Sequence, residues 1–367
     1  MQRLIFFIGI LFLFTLASCD KESNPTVNYD RRPLLENFAD NLIVPGYANL
    51  LTETELLKTA IENFNTTSNQ ENLASLRAQW LKAYRTYQRI GFFNFGPAEE
   101  VFLNVSLNSF PTSKLKIENN ITSGGYDLSS VTNPDAKGFP ALDYLLFGLG
   151  SDEETLAFYT SDGNAANRKT YLSAIATDMV TRVSTVKMAW DASGSNYRET
   201  FLSRTGNDAS SSLKFLVEGI VQYLERDVRD LKVGIPLGIR SLNVPIPNNA
   251  EALYAQESVA LAAESVAALQ NIYHGKSTAD GEGFDDYLTA LNARYNGASL
   301  NDAIKDQLAL TLQKVSEMPE PFSEAVENNQ APIAAAYQEL QKLTLLMKND
   351  LPSAIGVTIT YQDNDGD

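Results

Sequence analysis

The sequence predicts an all-α protein built from two helical bundles. Apolar residues recur three or four apart along most of its 367 residues, alternating patterns are nearly missing, and the links between helical runs are short. Each apolar stripe has to be buried against neighbours, and short links bring those neighbours alongside as a bundle. A chain of this length exceeds one comfortable bundle, so two are expected.

The first residues read as a processing signal. Met1 to Arg3 is a short basic start, and Leu4 to Leu16 is an apolar run too short for a stable span. Leu16-Ala17-Ser18-Cys19 then reads as a lipobox, with the chain's one cysteine at the position lipidation needs. Residues 1–18 are therefore expected to be removed, leaving a lipid on Cys19 and a polar tether over 19–30. Asp20, Lys21 and Glu22 suit either a sorting signal or that solvated tether. The expected address is the cell envelope, as an outer-membrane lipoprotein facing the periplasm or the surface. With one cysteine no internal disulfide can form.

Past the tether the helical stripes begin. Leu34, Phe38, Leu42 and Val44 open one, Pro45 kinks or breaks it, and Leu50, Leu56, Leu57, Ile61 and Phe64 carry it on. Leu73, Leu76, Trp80, Tyr84 and Tyr87 form a second, stopped by Gly96-Pro97. Residues 104–137 are rich in Asn, Ser, Thr, Gly and Pro and read as loop with one short helix. Further helices are expected near 151–160, 165–191 and 208–231, then a loop through Gly234 and Gly238, then a long alanine-rich helix over about 248–273. Residues 283–294, 299–317 and 328–350 complete the set, with a short alternation at Val357 to Tyr361. The polar stretch Ser193 to Asp208 divides the bundles as 31–195 and 196–356, with 357–367 as a tail.

Charge and composition remove several classes of function. The chain carries 29 basic against 45 acidic residues, a net charge of −16, which repels nucleic acid. His274 is the single histidine, placed at a helix end where the dipole suits a capping role. A Ser-His-Asp triad or a His-rich zinc site therefore has too few parts, and no catalytic residue is assigned. No glycine-rich phosphate loop with a lysine is present. Direct cation binding would rest on hard oxygen donors from Asp, Glu and Tyr, so the cofactor stays open, with a divalent cation as the candidate. The tail Asp363 to Asp367 imitates the start of a calcium loop without its closing Glu and reads as an acidic terminus.

One stretch stands out. In Gly138-Phe139-Pro140-Ala141-Leu142-Asp143-Tyr144-Leu145-Leu146-Phe147-Gly148, Pro140 suits the first turn of a helix and Leu142, Leu145 and Leu146 supply an apolar face. Pro140 and Asp143 lie three apart on one face, and a first-turn Asp143 would be stabilised by the helix dipole. Alone, this describes a short buried helix.

The stretch also resembles the Gly-x-His-x-x-Glu signature of the imelysin family, lipoproteins also grouped as insulin-cleaving membrane proteases. Asn41 to Tyr47, Trp80 to Tyr84, Phe95-Gly96-Pro97, Arg229 to Gly238, Glu257-Ser258, Ala268 to Tyr273 and Leu351 to Thr360 are similar to further family stretches in order and spacing. The resemblance implies a two-domain all-α fold, an envelope setting, a link to iron uptake and a metallopeptidase assignment that rests on the signature His and Glu. Here those positions are Pro140 and Asp143, while the glycine is kept as Gly138. Proline neither ligates nor moves a proton, and Asp is one methylene shorter than Glu. The reading is a non-catalyst that binds a ligand or an iron-uptake partner at the domain interface, with iron as a candidate cation. The alternative is a metal-dependent hydrolase with a carboxylate site rebuilt around Asp143. Glu99 and Glu100 are placed either near Asp143 or on the surface, and Lys232, Glu257 and Ser258 complete the candidate cleft by resemblance.

Overall fold

A computed structural model describes residues 29–361 other than Val131. The signal, Cys19, most of the tether and the Asp363–Asp367 tail lie outside these residues. Among them the chain is helical from Arg32 to Ile355, with a single two-stranded ribbon pairing Arg294–Tyr295 with Ala298–Ser299. The Val357–Tyr361 alternation forms no strand. Its backbone turns instead to Glu218, whose Oε1 accepts the N–H groups of Thr360 (2.9 Å) and Tyr361 (2.7 Å).

The long helices start where local chemistry favours them. Asn69 caps Gln70–Ile90 through the Asn72 N–H, and Ser151 with Glu154 forms a capping box for Asp152–Thr160. Ser299 caps Leu300–Ser316 in the same way. In the first half of the chain, helix Val44–Thr66 packs along both 70–90 and Ala165–Trp190. In the second half, 300–316 packs along Gln330–Leu345 and Ser258–Tyr273. Helix 258–273 also lies against 70–90, so it touches both sets. Buried apolar residues form one continuous cluster from Leu34 to Val357.

Four expectations need correction. Pro45 does not break its helix. It follows a π-helical segment, Phe38–Ile43, in which the Val44 N–H reaches the Ala39 carbonyl five residues back. The same arrangement precedes Pro236 and Pro352, where the Ile235 N–H meets the Asp230 carbonyl and the Leu351 N–H meets the Leu346 carbonyl. A proline ring collides with the carbonyl four residues back, and a widened turn relieves that collision. The expected loop through Gly234 is therefore helix: Tyr223–Gly234 runs on into Ile235–Leu237 and stops at Gly238, which has φ +94°. In contrast, the helix expected from 248 begins only at Ser258. Residues 251–256 form turns, with Ala252 and Gln256 held at positive φ. The region 104–137 carries two short helices, Leu103–Leu107 and Lys114–Ser123, instead of one.

Packing at the first set of helices is dense around Phe64, a fully buried ring set edge-on to Tyr159 at 5.0 Å. Phe64→Ala should cost about 3–5 kcal/mol of stability. Urea unfolding checks this, and a loss under about 1 kcal/mol would contradict the packing.

Candidate functional site

The signature helix is Gly138–Phe147. Gly138 has φ +71°, and a Cβ there would lie 2.3 Å from the Leu107 carbonyl oxygen, so only glycine lets the two helices approach. Pro140 is the third residue and is buried. Beside it the Phe139 carbonyl accepts the Trp80 indole N–H at 3.1 Å, and the Phe139 ring stacks on Tyr84 at 4.5 Å. Because the helix starts at Gly138, Asp143 falls in the second turn, not the first, and its own helix end is not its partner.

Asp143 is 2% exposed and reaches across to the 251–256 turn. Its Oδ2 accepts the Tyr254 N–H at 3.0 Å and its Oδ1 the Ala255 N–H at 2.8 Å. Both oxygens thus hold a turn whose Ala252 and Gln256 sit in a region that non-glycine residues rarely adopt. Burial pushes the Asp143 carboxyl up to about 7, against the pull of the two N–H donors, and the nearby Glu251 charge pushes the same way.

Glu251, on that turn, is wholly buried and is the centre of the site. Its Oε1 accepts from the Asn108 amide (2.8 Å), the Tyr84 hydroxyl (3.0 Å) and the Gln88 amide (3.2 Å). Its Oε2 meets the Lys232 ammonium, which is equally buried. The Gln88 carbonyl in turn accepts from Lys232 (2.9 Å), Ser265 (2.9 Å) and Tyr223 (3.1 Å). Burial pushes the Lys232 ammonium down while Glu251 holds it up, and burial with the Glu251 charge pushes the Tyr84 hydroxyl well up. Tyr84 and Gln88 are one turn apart on helix 70–90, Lys232 comes from the π-helical segment, and Ser265 from helix 258–273. Three segments therefore meet on one carboxylate, and helix 258–273 joins them through Gln88.

The other predicted residues divide between this site and elsewhere. Ser258 belongs to it, since its hydroxyl donates to the Glu251 backbone carbonyl. Glu257 stands at the edge, 3.2 Å from Arg85 in a partly exposed ion pair. Glu99 and Glu100 are exposed on the four-residue helix Pro97–Glu100 and make no hydrogen bond or ion pair to Asp143. Their charges act on Tyr197 instead. His274 does end helix 258–273, with Nδ1 2.7 Å from Asp285 Oδ2. Among the described residues, no three His, Cys, Asp or Glu side chains gather as a metal-ligand set. Gln88, Asn108 and Glu251 carry no site signal in the sequence, where Tyr84 reads as part of an apolar stripe and Glu251 as part of a helix that starts only at Ser258.

Two outcomes follow from these contacts. Removing one member of the buried pair leaves the other charge without compensation, so Lys232→Met and Glu251→Leu should each cost about 3–5 kcal/mol in urea unfolding. The double variant should cost clearly less than the sum, and strict additivity would mean the two groups are not coupled. For Asp143, the unfolded carboxyl titrates near 4. The folded group binds its proton more tightly, so its contribution is full below about 4 and is lost as pH rises through about 7. Stability of the natural protein relative to Asp143→Asn should therefore drop by a few kcal/mol, roughly, between pH 4 and 8. Parallel stability curves for the two proteins would show that Asp143 titrates normally.

Comparison with known proteins completes the picture. The profile described as Imelysin matches residues 43–347. No curated protein matches the chain. A crystal structure from Parabacteroides distasonis ATCC 8503, described as a candidate iron-regulated protein A precursor, is similar with a TM-score of 0.73. It is 19% identical, and the match covers 91% of this chain and 97% of that one. An imelysin-like protein from Psychrobacter arcticum 273-4 is similar with a TM-score of 0.70 and 19% identity, over 90% of this chain and 97% of the other. These two likenesses show the fold. With the Imelysin profile matching most of its length, this chain belongs to the imelysin family.

Proposed function

We propose that this chain is a non-catalytic, lipid-anchored envelope member of its family, acting in iron uptake by binding a ligand or a partner protein where its two bundles, 31–195 and 196–356, meet. The anchor is a lipid on Cys19, the membrane is the outer membrane, and nucleic acid is not among its partners. The observation that carries the reading is the state of the signature carboxylate. Both oxygens of Asp143 are committed to backbone N–H groups, and Pro140 beside it has nothing to offer a metal or a proton. Glu251, the next acid, is committed to Lys232 and three neutral donors. A hydrolase would need at least one of these groups free to ligate or to exchange protons with a substrate. The iron link draws on the family resemblance and on a structural neighbour described as iron-regulated.

Two measurements test this. The purified protein should show no chelator-sensitive cleavage of unfolded polypeptides. Cleavage that disappears in Asp143→Ala would establish the rebuilt carboxylate site in its place. A strain lacking the chain should grow more slowly and hold less iron under iron limitation, and unchanged growth and iron content would remove the uptake role.

A further inference from the structure

Away from the buried network, a groove of about 860 Å³ runs between helices 44–66 and 70–90 on one side and helix 258–273 with the turn at 276–278 on the other. Its apolar lining includes Leu42, Pro45, Leu81, Ile90, Phe93 and Ile272. Its charged lining is unlike the rest of the molecule. Lys82, Arg85 and Arg89 lie at spacings of three and four along one helix face, and Lys276 lines the groove from the turn. Glu53 and Glu264 are the acids in the lining, so the groove is net positive in a chain whose total charge is −16.

The three helical cations are arranged in a consistent way. Lys82 pairs with Glu53 at 3.0 Å, Arg85 with Glu257 at 3.2 Å and Arg89 with Glu264 at 2.6 Å. In every pair the cation is the more exposed partner: 62% against 14%, 42% against 29%, and 60% against 24%. The acids thus steady the cations from the protein side while the cationic faces stay open to water. Surface ion pairs of this kind add little to stability. Holding two helices together would account for the pairs, but not for Leu42, Pro45 and Leu81, which stay partly exposed beneath them. Concave sites that join apolar walls to a few placed charges are the usual form of small-ligand sites.

We propose that this groove binds a small organic anion, with an apolar body against Leu42, Pro45 and Leu81 and two or more acidic groups meeting Lys82, Arg85, Arg89 and Lys276. The inference rests on the reading of the chain as a binding protein and supplies the ligand chemistry for the same meeting of helices. Growth under iron limitation and peptidase assays do not depend on it, so either idea can fail without the other.

The test titrates the full chain, in non-ionic detergent, with 8-hydroxypyrene-1,3,6-trisulfonate, an aromatic trianion read by fluorescence anisotropy. Saturable one-to-one binding is expected. Arg85→Gln with Arg89→Gln should weaken it about tenfold or more. Lys305→Gln with Lys314→Gln makes the same change in net charge outside the groove lining and should leave it within about twofold. Lys276→Glu, on an exposed turn, repeats the test without altering a helix and should weaken binding several-fold. Three results would overturn the proposal: no saturable binding, equal loss in the two double variants, or equal affinity for the cationic dye thioflavin T.

Discussion

A carboxylate taken fully out of water must find charge and hydrogen bonds inside the protein, and Glu251 shows what meeting that demand requires. It draws Lys232 from one helix, Tyr84 and Gln88 from another, and Asn108 from a loop, with Ser258 fixing its own backbone. Gln88 then links Lys232, Ser265 and Tyr223 through its carbonyl. Every group is polar and partnered, and all but the part-buried Asn108 are buried, so a shift of any one segment would strand several others. Such a network does little for net stability compared with an apolar core, but it specifies how the segments must meet. Helix 258–273 packs on both halves of the chain at the point where this network closes.

The prolines shape the same region through the backbone. Pro236 stands four residues after Lys232, and the carbonyl of Lys232 is the one its ring would strike in a regular helix. The preceding π-helical segment widens the turn, as it does before Pro45 and Pro352. Widening also changes which side chains share a face, because the repeat is no longer 3.6 residues. Pro45 lies in the groove lining, so the buried network and the groove both adjoin a proline-widened turn.

Much of this was legible in the sequence, for identifiable reasons. The stripe Leu73, Leu76, Trp80, Tyr84 and Tyr87 is long and strictly periodic, and it forms the helix 70–90 with every one of those residues buried. Helix 165–190 was placed within a residue of its end. Failures cluster where tertiary contacts override local preference. Residues 250–257 are rich in Ala, Glu and Leu, good helix formers, yet two of them take positive φ because Asp143 holds the turn from another segment. Losing that turn meant losing Glu251, since nothing local marks an acid as buried. Gly234 to Gly238 reads as loop because glycine and proline usually punctuate one, and the π-helical solution carries no local sequence signal. Asp143 and Gly138 were found only through the family signature.

That signature now has a physical explanation for two of its three positions in this chain. Gly138 is required by the close approach of the Leu107 backbone, whatever chemistry the site performs. Asp143 is required by two N–H groups of a strained turn, which in turn carries the buried Glu251 into place. A carboxylate at this position thus has work to do that involves no substrate. Pro140 stands in the same helix beside a carbonyl already taken by Trp80, and it neither donates nor accepts. A family motif can therefore persist in part as architecture after its ligating side chain is gone. In this chain the acid of the signature acts as a positioning residue for the network, and solvent-facing chemistry falls to the cationic groove outside it.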